Sequence, residues 1–245
     1  MKLTKIIASA FIVMASASAS FAQTADEIVA KHIEATGGAD KWKALKGLEM
    51  KNKFNVQGMD IEMKVVVLAG KAVRSDIAVM GQEVINTVDG ETGWSVKPAM
   101  MGGTGEPEDM TIAEIKEARK QIDLGGSLMN YKEKGSTVEL VGKEKLDGAD
   151  VYHLKLTEKN GEISNMFISA STYYTLKTSG KRKVQGQEMD VDVSYSNFKQ
   201  VDGITFPHTM EVPSPMGGGT MTVETESIKL NPTIDESIFK KPAKK

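Results

Sequence analysis

The chain of 245 residues contains no cysteine. Disulfide bonds are therefore excluded, and a structural zinc site, which is built mainly on thiolates, is disfavoured. The thiol at which an exported protein receives a lipid anchor is missing as well. The chain is nevertheless long enough to bury a core without covalent cross-links.

Net charge and long apolar runs are also scarce. The formal net charge is −2, and this mild acidity argues against nucleic acid or an anionic membrane surface as the main partner. Beyond the amino-terminal segment, no apolar run approaches the ~20 residues that a membrane-spanning helix needs. The composition therefore favours a soluble globular domain.

The amino-terminal segment has the layout of a secretory signal. Lys2 and Lys5 precede a short apolar run, and a stretch of small residues follows and ends at Ala22. A membrane anchor is the alternative interpretation, but the apolar run is too short to span a bilayer. We predict a signal peptide at residues 1–22 and a single exported, unanchored domain at residues 23–245.

Most of the remaining chain consists of strands whose side chains alternate between apolar and polar. Met189, Val191 and Val193, for example, fall on one side, with acidic residues on the other. Such alternation puts one face of an antiparallel sheet in water and the other on an apolar interior. A change of apolar phase between Thr225 and Ile228 predicts a β-bulge. About twelve strands are predicted, at residues 48–57, 59–69, 72–80, 83–88, 92–97, 137–142, 149–158, 162–168, 173–178, 183–195, 204–212 and 220–230.

Two capping boxes predict helices. Thr24 and Glu27 have the spacing at which each side chain caps the backbone of the other residue, and apolar residues at helical spacing follow until Gly37. Thr111 and Glu114 repeat this arrangement in the middle of the chain.

The second of these helices interrupts the series of strands. It has Ile112, Ile115 and Ile122 on its apolar side and glycine-rich segments before and after it. Two interpretations stay open: a lid that moves on these glycines, or a plug that closes one end of the sheet.

The sequence offers no catalytic or metal-binding constellation. Its three histidines, His32, His153 and His208, are not paired at the spacing of metal ligands. Neither a nucleophile elbow nor a phosphate-binding loop occurs, and the acidic run at residues 106–109 fits a solvated turn better than a calcium loop. We therefore predict no metal, no cofactor and no enzymatic activity. His208 is interpreted as a structural residue, with a role as a base left open.

Methionine is abundant, with 15 residues against 7 phenylalanines and 2 tryptophans. Several methionines fall on the apolar faces of the predicted strands. Methionine is flexible and polarizable, so it suits surfaces that accept varied apolar shapes. Each single one is interpreted as core filling, whereas the set favours an adaptable cavity.

Several segments resemble the outer-membrane lipoprotein-sorting family. They are YKEKG at residues 131–135, VELVGKE at 138–144, DGADVYHLKL at 147–156, DGITFP at 202–207, and IKLN followed by IDESIF within 228–239. The similarity extends over nearly the whole predicted mature chain.

This resemblance implies a mainly β, α+β fold: a strongly curved antiparallel sheet of about eleven or twelve strands that forms an unclosed β-barrel covered by helices. In the lipoprotein carriers of the family, the covered space holds acyl chains. It implies a monomeric periplasmic carrier that shields the acyl chains of a lipid or lipoprotein and exchanges them with membrane-protein donors and acceptors of the envelope.

The apolar strand faces supply the expected binding residues, and the middle helix supplies the lid. Ile112, Ile115 and Ile122 would close the cavity. A non-enzymatic envelope module that binds a protein partner stays open as the alternative, and a hydrolase ranks last. The residues expected to line the cavity and bind lipid are Met50, Phe54, Val56, Ile61, Met63, Val65, Val67, Met189, Val191 and Val193.

Overall fold

The fold is given by a computed structural model. It describes residues 23–56, 58–184, 187–214 and 219–243, and of residues 182–184 and 187–189 the backbone alone. The predicted signal peptide lies outside these residues, so its removal stays a prediction. Within the described ranges, no helix combines the length and the apolar character that crossing a membrane requires.

The described chain is mainly β, with few helices. Helices α1, α2 and α3 cover Ala25–Ala35, Ala39–Ala44 and Ile112–Arg119, and short 3₁₀ helices cover Ala99–Met101, Lys120–Ile122 and Glu236–Phe239. The strands are β1 (Gly47–Val56), β2 (Met59–Leu68), β3 (Ala72–Val79), β4 (Gln82–Asp89), β5 (Thr92–Val96), β6 (Glu108–Asp109), β7 (Thr137–Leu146), β8 (Ala149–Thr157), β9 (Ile163–Ser169), β10 (Thr175–Val184), β11 (Gln187–Val201), β12 (Ile204–Pro213) and β13 (Thr220–Leu230).

These strands form one antiparallel sheet of 13 strands in the order β6-β5-β4-β3-β2-β1-β13-β12-β11-β10-β9-β8-β7. Each half of the chain is a meander, and the two meanders meet where β1 pairs with β13. The edge strands β6 and β7 do not pair with each other in the described residues, so the sheet stays open. The predicted mainly β fold with an unclosed β-barrel is confirmed.

Three strand predictions need correction. The strand predicted at residues 183–195 begins at Gln187, because Lys183 and Val184 are the end of β10. Glu108 and Asp109 form the short edge strand β6 against β5, where the sequence predicts a solvated turn. Two residues are too few for an alternating pattern to be recognised. The strand predicted from Tyr173 begins later, at Thr175, because Tyr173 has a positive φ of 58° and belongs to the preceding turn.

The predicted β-bulge is confirmed. Lys51 pairs with Ser227 and Asn52 pairs with Thr225, so Glu226 is the extra residue on β13. Asn52 and Thr225 are buried, and the Thr225 hydroxyl donates a 2.9 Å hydrogen bond to the Asn52 side-chain oxygen. The change of apolar phase in the sequence therefore marks a real irregularity of the sheet.

Tight turns fix the register of the hairpins. Asp147 and Gly148 have φ angles of 48° and 86°, and Asp202 and Gly203 have φ angles of 49° and 78°. Two successive positive φ angles are the mark of a type I′ turn, whose twist matches that of the paired strands. Aspartate followed by glycine is among the sequences that adopt this conformation most readily.

Helices cover one face of the sheet, which we call the inner face. On the first half of the sheet, Ile115 of α3 and the buried Ile122 pack on valines of β2–β4. On the second half, Ile28 and Val29 of α1 pack on the inner residues of β8 and β9. The inner face is therefore covered by two separate elements.

The outer face carries the end of the chain. Phe239 is buried against Val66 and Ala72. The Trp94 indole N–H donates a 2.9 Å hydrogen bond to the Phe239 carbonyl, and Arg74 donates a 2.7 Å hydrogen bond to the Ile238 carbonyl. The C-terminal segment thus stabilises the first half of the sheet from the side opposite α3.

Candidate functional site: a cavity beneath α1

A cavity of about 1030 Å³ lies on the inner face between α1, strands β9–β12 and the chain that precedes β7. This volume is at the upper end of the ~300–1,000 Å³ that is typical of small-molecule sites. Much of the wall is aliphatic or aromatic, and exposed charged side chains border the opening. The composition suits an apolar ligand that enters from water.

Small residues on the inner face make room for the cavity. In the register of the sheet, Ser164 on β9, Gly180 on β10 and Val191 on β11 stand side by side, and all three line the cavity. A hydroxymethyl group and a hydrogen atom fill little of the space beneath the covering elements. The floor of the cavity is therefore a direct consequence of side-chain size at inward positions.

One wall is formed by α1, whose start is fixed by the predicted capping box of Thr24 and Glu27. His32 lines the cavity and places Nδ1 2.8 Å from the Tyr173 carbonyl oxygen. Because a carbonyl oxygen only accepts, Nδ1 carries the proton and Nε2 is an acceptor. Burial lowers the pKa of His32, and its hydrogen bond with the Tyr173 carbonyl opposes this only in part, so the ring is neutral at pH 7.

The turn after α1 reaches into the sheet beside β12. Gly37 has a φ of 127°, and a Cβ there would lie 2.7 Å from the Gly203 carbonyl oxygen, so this position requires glycine. The Thr205 N–H donates a 3.0 Å hydrogen bond to the Thr36 carbonyl. The pairing of β12 with β13 covers only residues 209–213. The turn therefore satisfies backbone groups of β12 that β13 leaves unpaired.

Aromatic side chains surround the part of the cavity nearest α2. The Trp42 ring meets the Phe206 ring edge-on, with 5.3 Å between the centroids. The Tyr195 hydroxyl lies 3.2 Å from the Thr178 hydroxyl. All four residues line the cavity. Trp42 also packs against the buried cluster of the first half of the sheet, so it separates the filled part of the inner face from the hollow part.

The connection between the edge strands, residues 110–136, crosses the inner face, and we call it the crossing segment. It is attached to α1 by Tyr131, whose hydroxyl donates a hydrogen bond to the Asp26 carboxylate, and by Lys132, whose Nζ lies 2.5 Å from the same carboxylate. Hydrogen bonds from Lys132 and Tyr131 lower the pKa of Asp26.

On the other side of the opening, the crossing segment is attached to the β8–β9 hairpin. Lys120 and Lys116 donate hydrogen bonds of 2.7 Å and 3.0 Å to the Glu162 carboxylate at the hairpin tip. These two lysines, Lys120 foremost, lower the pKa of Glu162. Lys120 and Glu162 both line the cavity, so this ion-pair cluster stands at its mouth.

The predicted lining residues whose side chains are described fall into three groups. Val191 and Val193 line the cavity, whereas the side chain of Met189 lies outside the described residues. Phe54, Val56 and Ile61 are near the β1–β2 turn, where Phe54 pairs with Ile61, and they are not among the described residues that border the cavity. The remaining predicted residues belong to, or pack against, the filled cluster under Ile122: Met50, Met63, Val65 and Val67.

The three predicted lid residues lie in two different environments. Ile112 is 88% exposed, which corrects the expectation that it faces the sheet. It is the first residue of α3, one turn before the part of the helix that packs on β-strands. Ile115 and Ile122 do face the sheet, but they pack in the filled half rather than over the cavity. The mouth is bordered instead by the residues after them, 123–129.

The methionines are not concentrated at the cavity in the described part of the chain. Met129 and Met166 line it. Others pack against the filled cluster, and Met80, Met100 and Met101 are exposed. Core filling accounts for more of them than an adaptable cavity does.

The sequence pattern does not reveal the cavity walls that α1 and the crossing segment provide. Helical periodicity predicts that α1 packs on a sheet, but it does not reveal whether the sheet beneath is filled. The available signal was residue size, because Ser164, Thr178 and Gly180 occupy inward positions where the first half carries larger apolar residues.

His153 and His208 are the histidines that could act as a base in a hydrolase, and His153 Nδ1 lies 3.3 Å from the Glu144 carboxylate. His153 Nε2 lies 2.8 Å from the Asn165 side-chain oxygen, and His208 Nδ1 lies 3.2 Å from the Phe206 carbonyl. In the described ranges, neither has a serine within hydrogen-bond distance. The same ranges contain no cluster of three or more acidic or histidine side chains that would hold a metal ion.

A sequence model of a family described as "Uncharacterized protein" matches residues 108–243, which is more than half of the chain. The chain belongs to this family. The matched region begins at β6 and includes the crossing segment and β7–β13, and therefore most of the cavity walls. A comparison with curated proteins finds no match.

Solved structures of other proteins share the fold. A DUF1329-family protein from Desulfovibrio piger is 15% identical, with a TM-score of 0.59 over 89% of this chain and 98% of that protein. A LolA-superfamily protein from Nitrosomonas europaea is 16% identical, with a TM-score of 0.57 over 90% and 99%. A domain from Vibrio parahaemolyticus that is described as outer-membrane lipoprotein-sorting is 16% identical, with a TM-score of 0.52 over 87% and 94%. The predicted resemblance is confirmed at the level of the fold.

Proposed function

We propose that the protein is an exported, non-enzymatic carrier that shields the acyl chains of a lipid or lipoprotein in the periplasm. The cavity of about 1030 Å³, with its aromatic and aliphatic wall, is the observation that carries the proposal. The shared fold with a domain described as lipoprotein-sorting supports it, and the predicted signal peptide supports the location.

The energetics of acyl binding suit a carrier. Each methylene moved from water to an apolar site gains about 0.8 kcal/mol, so a long acyl chain gains on the order of 10 kcal/mol. Relative to a membrane, the gain is close to zero. The cavity would therefore protect a lipid from water, whereas donor and acceptor proteins in the membranes would set the direction of transfer.

Access to the cavity would depend on the crossing segment. This segment is joined to the β8–β9 hairpin through Glu162 and to the start of α1 through Asp26, with exposed ion pairs in both places. Exposed ion pairs are each worth only about 0.2–1 kcal/mol, so they can open and close readily. In this proposal residues 123–129 form the gate, and Ile115 and Ile122 are its fixed base.

The direct test is to purify the protein from its own cells, extract it with organic solvent and identify acyl lipids by mass spectrometry. We expect close to one bound lipid or lipoprotein per chain. Protein that is free of lipid and also fails to bind a 16-carbon fluorescent fatty acid would contradict the proposal.

A cavity-filling variant tests the location of binding. Val193→Trp places an indole on the cavity floor, and we expect at least tenfold weaker binding of the fluorescent fatty acid because the ring occupies the space of several methylenes. Val141→Trp is the matched control, since Val141 lies on β7 and is 57% exposed. Equal binding by both variants would place the ligand elsewhere.

A second candidate function, binding of a protein partner, is favoured by the exposure of Ile112. An isoleucine that is 88% exposed, on a segment that follows the exposed Met100 and Met101, is a candidate contact for an envelope protein. If this function holds, Ile112→Asp abolishes a pull-down partner and leaves acyl binding intact, whereas Val141→Asp retains both. Retention of the partner by Ile112→Asp would contradict it.

A further inference from the structure

We propose that the wall of the cavity formed by α1 selects acyl ligands whose polar group donates a hydrogen bond, a hydroxyl or an amide N–H. The inference rests on the proposed carrier function and adds the class of ligand. It disfavours simple esters, whose oxygens only accept hydrogen bonds.

The first observation is the fixed orientation of the His32 ring. Its Nδ1–H is engaged with the Tyr173 carbonyl at 2.8 Å. Nε2 has no hydrogen-bond partner among the described residues. It is also not one of the described polar atoms that are fully buried without a partner, so it is accessible. Since His32 lines the cavity, Nε2 is an accessible acceptor at an otherwise largely apolar wall.

The second observation is Thr36, which lies one helical turn after His32 and also lines the cavity. Its hydroxyl donates to the His32 carbonyl at 2.9 Å and also lies 3.2 Å from the Ile33 carbonyl. The hydroxyl proton is therefore committed to the helix backbone, and the oxygen can make a further hydrogen bond only as an acceptor. His32 and Thr36 thus offer acceptors from the same side of α1.

Thr205 lies next to this pair and has an unsatisfied hydroxyl. Thr205 lines the cavity, is 4% exposed, and its Oγ1 has no hydrogen-bond partner in the described residues. Its backbone N–H is bonded to the Thr36 carbonyl, so the two threonines are neighbours. The Thr205 hydroxyl oxygen has almost no accessible surface, so this oxygen lies behind the wall and the donor preference rests on His32 and Thr36.

Two of the four lysines that line the cavity are engaged in ion pairs at its mouth. Lys120 is paired with Glu162 and Glu117, and Lys134 is paired with Asp123. Lys159 and Lys181 also line the cavity, so the test uses uncharged probes, whose binding depends on hydrogen bonds and not on these cations.

The test compares three 16-carbon probes: 1-hexadecanol, hexadecanamide and methyl hexadecanoate. Each is titrated against full-length mature protein that holds an environment-sensitive dye in the cavity. We expect the alcohol and the amide to displace the dye at about fivefold lower concentration than the ester, as one net hydrogen bond predicts. The ratio of alcohol to amide shows which donor is preferred.

Substitutions on α1 test whether its side chains cause the preference for ligands that donate a hydrogen bond. His32→Phe removes the acceptor, and we expect the preference for donors to vanish while ester binding is retained. Thr36→Val reports on the same wall if His32→Phe does not fold. His153→Phe is the matched control, because His153 is bonded to Asn165 and lies outside the cavity lining.

The outcomes separate this inference from the function on which it rests. If all three probes displace the dye equally, or if the preference persists in both α1 variants, the inference is wrong and the carrier proposal stands. If none of them displaces the dye, both fail.

Discussion

The two halves of the sheet share one alternation of side chains but differ in the size of the inward residues. In the first half, Val67, Val73 and Val88 are register partners on the inner face and are buried in one cluster. In the second half, Ser164 and Gly180 are register partners on the inner face and form the floor of the cavity. Whether a region of the inner face is packed or hollow therefore depends more on the size of its inward residues than on their polarity.

The largest expected effect on stability comes from a substitution in the turn that holds α1 over the cavity. We expect Gly37→Ala to lower the free energy of unfolding by about 3 kcal/mol, because φ is unfavourable for alanine and the new Cβ would meet the Gly203 carbonyl oxygen. Gly38→Ala is the control: its φ of 87° costs about 1 kcal/mol, but its Cβ meets nothing within 4 Å. Urea unfolding measures both, and equal losses would contradict the close contact.

The same truncation in each half tests the difference in filling. We expect Val88→Ala, at a site that is 0% exposed, to lower the free energy of unfolding by about 2 kcal/mol, because it opens a cavity in packed core. Val193→Ala should cost about 1 kcal/mol or less, since Val193 already borders empty volume. Losses of equal size in urea unfolding would mean that the second half is as tightly packed as the first.

Local features of the fold could be predicted from the sequence because their causes are local. The capping boxes at Thr24 and Thr111 are present as predicted, and the bulge at Glu226 lies where the apolar phase changes. The alternation within β1, β2 and β11 also separates the apolar side of each strand from its polar side. Each of these depends on residues within a few positions of one another.

The position of the cavity depends on contacts between distant parts of the chain. Met50 and Val65 have the same pattern as Val191 and Val193, yet only the last two border empty space. The difference arises because Ile122, far away in sequence, packs on the first half of the sheet. Periodicity reports which way a side chain points, but it does not report what covers it.

The His32 ring makes the cover of the hollow half sensitive to pH. Burial lowers the pKa of His32 below the usual 6.5, so the unfolded chain binds the proton more readily than the folded one. The contribution of neutral His32 to the free energy of unfolding is complete above about pH 6.5. It is lost as the pH falls, and the free energy of unfolding then decreases by at most about 1.4 kcal/mol per pH unit.

This pH dependence is measured by urea unfolding between pH 5.5 and 7.5, and we expect a smaller slope in His32→Gln. The range avoids carboxylates such as Glu162, whose lowered pKa affects stability only below about 4.5. An unchanged slope in the variant would show that His32 is not the group responsible.

The smallest expected effect on stability is that of a substitution at Glu162. This residue also gives the most direct comparison between the two halves of the sheet. Both Glu162 and Glu49 bridge two lysines, but Glu162 stands at the mouth of the cavity and Glu49 pairs with Lys64 and Lys229 on the outer face. We expect Glu162→Gln to change the free energy of unfolding by less than about 1 kcal/mol.

The gate hypothesis predicts that stopped-flow uptake of a fluorescent fatty acid becomes several-fold faster in Glu162→Gln and stays unchanged in Glu49→Gln. The reason is that only the first substitution frees the crossing segment from the β8–β9 hairpin. High salt should also make uptake by the native protein faster, because salt screens exposed ion pairs. Identical uptake by both variants would favour the alternative that the crossing segment is a fixed plug. The ligand would then have to enter past the free edge of the sheet.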